Sequence, residues 1–292
     1  MDLSRKQYFA GLLFVLPALA IFLLFFYLPI LQSFYYSTMR WDGMGKPAYI
    51  GLDNFRYLWE DPRMKNGLLN SLKVVAFGIV VQNPLALTAA VLLNRKFRTK
   101  AWIRTSFYLP VVISLVVASV VWGQLLQYEG FINQLLRQIG LDAIAEDWLG
   151  TIRTAFPTII ALSQWQAIGY CAVIYLAGLQ AIPPDMYEAA EMEGAEGFKL
   201  FRYVTFPLLM PSVSIVMFLT VVGGLKLFEL PYLLTNGGPG TSSYTLFMAI
   251  YSSAFREGNY GYAIAGSVVL TAMIIIVSTI QLRITRRREV EL

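Results

Sequence analysis

The chain has 292 residues, 57% hydrophobic and 14% charged, with a formal net charge of +5, no histidine and one cysteine, Cys171. A soluble domain carries about 25% charged and about 45–50% apolar residues, so a water-exposed globular enzyme is nearly excluded on composition. Zero histidine removes Ser-His-Asp and Cys-His catalysis and imidazole metal sites, and one cysteine leaves neither an internal disulfide nor a thiolate cluster.

A basic excess fits nucleic acid, but also a membrane protein that retains Lys and Arg on its cytoplasmic side. The distribution decides. Charge-free apolar runs of about 20 residues, the length that crosses a bilayer at 1.5 Å per residue, recur along the chain. They predict spans at 10–31, 74–93, 106–126, 155–179, 207–225 and 263–282. The first follows Arg5 and Lys6 as a signal peptide would. It is longer than the 7–15 residues of such an apolar core and ends in Tyr27-Leu28-Pro29-Ile30 without a small-residue cleavage site, so it reads as a retained helix. In span two, Pro84 lacks an amide hydrogen and frees the Val80 carbonyl, predicting a kink beside Gln82 and Asn83 that serves as a static bend or a gating hinge.

Arg95, Lys96, Arg98, Lys100 and Arg104 crowd the link between spans two and three, and Arg283, Arg286, Arg287 and Arg288 follow span six. An even number of spans puts both groups on the side of Arg5 and Lys6, which is the cytoplasmic side with both termini. The opposite loops, 32–73 and 127–154, are longer and mixed in charge.

The cytoplasmic loop 183–206 breaks the pattern, with Asp185, Glu188, Glu191, Glu193 and Glu196 against Lys199 and Arg202. Acids weigh little in topology, so the orientation stands. Pro183 and Pro184 stop span four, and Asp185 with Glu188 three residues on predicts a capping box opening a short helix from Met186 to about Glu193. Gly194 then ends that helix in a left-handed conformation, and Phe198 to Phe206 form a second stretch running up to Pro207. On the residues alone this is either a solvated helical hairpin or a docking knob.

The run Glu188-Ala189-Ala190, Gly194-Ala195, Phe201, Val204, Pro207, Leu209, Pro211 resembles the EAA motif of binding-protein-dependent ABC importer permeases. Glu193, Phe198 and Phe206 are mild departures. The stretch from Arg104 through Leu109-Pro110-Val111-Val112-Ile113-Ser114 to Trp122, Gly130, Asn133 and Gly140 is similar to the carbohydrate-uptake branch, as is Gly51-Leu52-Asp53-Asn54-Phe55. Lys226-Leu227-Phe228-Glu229 with Leu234-Thr235-Asn236-Gly237-Gly238-Pro239 resembles the subunit type related to the maltose F permease rather than its G-type partner.

The resemblance implies an all-α membrane protein of six transmembrane helices in the type I ABC importer permease fold, one domain over 1–292. It implies a bacterial or archaeal cytoplasmic membrane and a non-catalytic subunit without cofactors, ATP and magnesium being bound by a partner ATPase. The implied partners are a second, G-type permease, two cytoplasmic ABC ATPases, an extracytoplasmic solute-binding protein and the lipid bilayer, with no nucleic acid. Glu188, Ala189, Ala190, Gly194 and Ala195 are then the coupling residues that enter the ATPase groove.

Within the spans, Ser163-Gln164-Trp165-Gln166 and Tyr170 are polar or amphipathic, and Gln166 and Tyr170 share a helix face. An aromatic face with an amide suits a pyranose. The resemblance places Gln166, Ala167 and Tyr170, with Thr220, Gly223, Gly224 and Leu227 in span five, on the substrate path. The sugar-binding asparagines of the maltose subunit are not reproduced at Gly224 and Leu227. Alternatives stand beside each: Trp165 and Tyr170 as packing or interfacial aromatics, Gln164 and Gln166 as helix-to-helix bonds, Gly223-Gly224 as a close approach of two spans. Lys226 and Glu229 either pair at i and i+3 or line an outer gate, and Lys226 is the first candidate for an anion site if the solute is phosphorylated. The rival class is a self-contained secondary transporter or channel. That class calls for mid-span charges and often two repeated halves, and spans one to four and six carry no charge.

Overall fold

A computed structural model describes residues 13–94, 100–287 and 289. Among the described residues, four helices are long and apolar enough to cross a membrane in one piece: Leu13–Tyr36, Pro62–Asn94, Ala155–Ala181 and Tyr260–Arg286. Two bent pairs, Trp102–Val112 with Leu115–Leu125 and Gly197–Leu208 with Met210–Leu225, bring the count to six if each is one span. Arg5, Lys6, the start of the first span, Arg95, Lys96, Arg98, Arg288 and the side chain of Lys100 lie outside what is described.

The contacts fall into two compact units, 1–61 with 250–269 and 62–249 with 270–292. In the first, the helix Leu13–Tyr36 ends against Trp41, which stacks on Tyr36 at 4.7 Å between ring centres. Two short antiparallel strands, Met39–Arg40 and Ala48–Tyr49, follow, and the buried Asn54 amide donates to the Ser37 and Met39 carbonyls, both at 2.8 Å. The Tyr262 hydroxyl donates to Asp61 at 2.9 Å.

The second unit is organised around the fourth span. Ala86, Ala89, Ala90 and Leu93 of the second span meet Cys171, Ala172, Tyr175 and Leu179 of the fourth in one buried cluster. Small side chains let the backbones approach, which is how helices associate where lipid offers no hydrophobic drive. At Gly169 a Cβ would sit 2.5 Å from the Phe107 carbonyl, so only glycine fits where the third span crosses.

Three π-helical turns, Leu23–Tyr27, Gly78–Gln82 and Phe201–Thr205, each lie just ahead of a proline: Pro29, Pro84 and Pro207. In each the residue before the proline closes the turn, its N–H reaching the carbonyl five residues back: Leu28 to Leu23, Asn83 to Gly78, Phe206 to Phe201. A proline lacks an N–H and crowds the carbonyl four residues back; the widened turn is a way for a helix to absorb it. The kink expected at Pro84 is therefore a π-turn inside one continuous helix.

Other boundaries differ from expectation. The second span begins at Pro62, about three turns before residue 74, because Arg63, Lys65 and Lys73 interrupt the apolar run without interrupting the helix. The third span is not straight: its halves meet at 99° between Val112 and Leu115. Pro110 lies in the last turn of the first half, and the Ser114 hydroxyl caps the second by accepting from the Val117 amide. The capping box of Asp185 and Glu188 does not form. The loop helix runs Pro184–Met192, starting two residues earlier than expected, with Pro184 itself needing no acceptor and no side chain bonding to the helix start.

Candidate functional site

A cavity of about 370 Å³ opens in the second unit between the second, fourth and fifth spans and the break in the third. Its walls are mostly apolar: Val74, Val111, Ile113, Leu115, Leu219, Leu227 and Leu230. Polar groups enter at few points, Gln82, Ser163, Gln164, Gln166, Tyr170 and Thr220, the composition of a small-molecule site.

The Gln166 amide nitrogen donates to the Pro110 carbonyl at 2.9 Å and to the Ile113 carbonyl at 2.8 Å. Those carbonyls sit at the end of the first half of the third span, where a helix leaves acceptors without partners. Both amide hydrogens are thereby used, and toward a solute Gln166 can only accept. Tyr170 lines the same cavity one turn on.

On the opposite wall the π-turn carries a buried network. The Asn83 amide donates to the Gly78 carbonyl (2.8 Å) and the Thr220 hydroxyl (3.0 Å), while its oxygen accepts from the Tyr175 hydroxyl at 2.7 Å. The Gln82 amide reaches Cys171 Sγ at 3.0 Å and Thr220 Oγ1 at 3.4 Å, and the Thr220 hydroxyl donates to the Val216 carbonyl at 2.8 Å. Second, fourth and fifth spans are thus tied at one level. Gln164 differs: its amide reaches Ser163 at 3.2 Å, but its buried carbonyl oxygen has no partner.

Gln166, Ala167, Tyr170, Thr220, Gly223, Gly224 and Leu227 all line this cavity. The two glycines divide the roles anticipated for them. A Cβ at Gly224 would lie 2.7 Å from Val75, so Gly224 serves close packing, whereas a Cβ at Gly223 would meet nothing within 4 Å. Trp165 packs edge-on against Trp122 at 5.5 Å, a packing role. Lys226 and Glu229 form no ion pair with each other: Lys226 ends one helix and Glu229 begins the next, so the i, i+3 spacing does not apply, and neither lines the cavity. Gln82, named only beside the Pro84 kink, and Gln164, named only in the polar run of span four and as a helix-to-helix bond, also line the cavity without having been placed on the substrate path. The break in the third span has no counterpart in the sequence expectations; an amide inside a charge-free run is the available signal for the two glutamines.

The acidic loop forms a separate feature. Helix Pro184–Met192 ends at Gly194, whose φ of 78° is left-handed, and Gly194 and Ala195 amides return to the Glu191 and Ala190 carbonyls, both at 2.9 Å. Glu188, Ala189 and Gly194 are exposed, Ala195 is half-buried, and Ala190 turns inward and is buried. Met192 and Phe198 stand out at 89% and 77% exposure, apolar groups the motif did not single out.

Residues 82–290 match the family described as binding-protein-dependent transport system inner membrane component. The chain is 37% identical over 275 residues to a probable ABC transporter permease of Bacillus subtilis (strain 168), covering 93% of this chain and 94% of that one. It is 34% identical to a probable starch degradation products transport system permease of Thermoanaerobacterium thermosulfurigenes (96% and 95% covered), and 31% identical to a multiple sugar-binding transport system permease of Streptococcus mutans (96% of each). A bacterial ABC transporter involved in the import of the acidic polysaccharide alginate has the same fold, with a TM-score of 0.83 at 23% identity, covering 98% and 97% of the two chains.

Proposed function

The chain belongs to the family of binding-protein-dependent transport system inner membrane components, and from that premise we propose that its substrate is a sugar or related solute. It is a multi-pass permease subunit of an ABC importer. A solute-binding protein delivers the solute, a second G-type permease completes the pathway, and two ATPases dock on the cytoplasmic loop. The membrane is the bacterial or archaeal cytoplasmic membrane, and ATP with magnesium is held by the ATPases while this chain performs no catalysis.

The observation that carries the sugar reading is the mid-span cavity, with its Tyr170 face and a few directional polar groups in apolar walls. Its lining holds no charged side chain among the described residues, which favours ATP-driven import over an ion-coupled secondary transporter. Docking explains the acidic loop better than a solvated hairpin does, because the loop sets exposed Met192 and Phe198 beside Glu188 and Gly194. ATPase closure would bias one of two conformations of the permease, and the permease contributes by being bistable. Reconstitution of the whole complex in proteoliposomes tests this. ATP-dependent uptake of a saccharide supplied by the solute-binding protein is expected; uptake driven by an ion gradient without ATP would refute it.

A further inference from the structure

On the outer side of that cavity, along the second and fourth spans, lies a second one of about 660 Å³. Their linings follow each other along the same two helices: Val74 and Ser163 line the inner cavity, Lys73 and Ile160 the outer. One wall is the loop through Thr241 and Ser242, held by the Asn66 amide on the Thr241 carbonyl (2.7 Å) and the Asn70 amide on the Ser242 and Tyr244 carbonyls (2.8 and 2.9 Å).

The charges on this lining are Lys73 and Arg153, with no acid among the described residues. The Lys73 ammonium rests on Asn70 Oδ1 at 3.3 Å, and Arg153 makes no hydrogen bond or ion pair with any described residue. The Ser242 hydroxyl is shut off from solvent without a partner. By the topology read from the basic loops, this is the outer side, where retention of Lys and Arg has no explanation in membrane insertion. Two cations without an acid between low-dielectric walls raise the local concentration of anions. Phe77 and Phe156 add apolar faces, and the volume exceeds what a bare inorganic anion requires.

We propose that the Lys73–Arg153 cavity is an antechamber for a saccharide bearing an anionic group, a carboxylate, sulfonate or phosphate ester, on its way to the inner cavity. The proposal rests on the sugar-import reading and deepens it. It also moves the anion site away from Lys226, which lines neither cavity.

The test uses the assembled transporter in lipid nanodiscs, with D-glucuronate and D-glucose as probes in saturation-transfer NMR. Glucuronate is expected to bind at least ten-fold more weakly to Lys73→Gln/Arg153→Gln than to the wild type, and more weakly as salt rises, with glucose binding unchanged. Equal glucuronate binding by the variant, or glucuronate binding no tighter than glucose in the wild type, overturns the antechamber. Since both side chains are exposed, unchanged thermal melting of the variant excludes misfolding as the cause. If glucose binds but glucuronate gains nothing from the two cations, the sugar reading survives and this inference alone falls. If neither sugar binds, both fall.

Discussion

The side chain of Gln166 bonds the backbone of Pro110 at 2.9 Å and, through the same amide nitrogen, that of Ile113 at 2.8 Å, so the fourth span holds the 99° break of the third. A residue singled out for touching sugar is also the clasp of a broken helix.

Gln166→Leu should therefore lose stability before any solute is added. Leaving the two carbonyls unpaired in an apolar setting costs about 1–3 kcal/mol for each. The melting temperature of the purified complex without solute should fall; an unchanged melt with weakened uptake would assign Gln166 to the solute alone.

Gln164 predicts the reverse. Its unpartnered buried oxygen costs stability in the resting state and is an acceptor for a solute hydroxyl. Gln164→Leu should melt no lower than the wild type yet raise the apparent KM for uptake several-fold. A lowered melt with unchanged KM would make Gln164 a packing residue.

Asn83 and Tyr175 form one unit through their 2.7 Å bond. Asn83→Leu and Tyr175→Phe each strand a partner, so the double variant should lose less than the sum of the singles, with a coupling of about 0.5–3 kcal/mol in a denaturation cycle. Simple additivity would show that the network does not act together.

The six-span pattern was legible because hydrocarbon demands long uncharged runs, and that demand is written in composition. The Gly194 turn was legible too, since proline and glycine act locally. The 99° bend was not, because Pro110 sits in a run as apolar as its neighbours and the bend is fixed by Gln166, over fifty residues away. Nor were the π-turns before Pro29, Pro84 and Pro207, where a kink is the simpler expectation. Of the candidate site, the fourth-span face at Gln166 and Tyr170 could be read from spacing. Gly223 and Gly224 came only from the resemblance, and their division into an open wall and a close contact depends on where Val75 lies.

At the acidic loop, Gly194 has φ of 78° and open space around it, so a side chain there is opposed by backbone conformation alone. Gly194→Asn should keep coupling, since asparagine tolerates that conformation, whereas Gly194→Val and Glu188→Lys should insert normally and lose solute-stimulated ATPase activity. Retained stimulation in the last two would remove the docking role.

The central claim, that the mid-span cavity is the solute path, is tested most directly at adjacent glycines by ATP-driven uptake in proteoliposomes. Gly224→Val, pressed against Val75, should fail to assemble stably and serves as the packing control. Gly223→Leu points into open cavity and should assemble and bind the solute-binding protein normally, while uptake falls at least ten-fold. Wild-type uptake by a stable Gly223→Leu transporter would contradict the account.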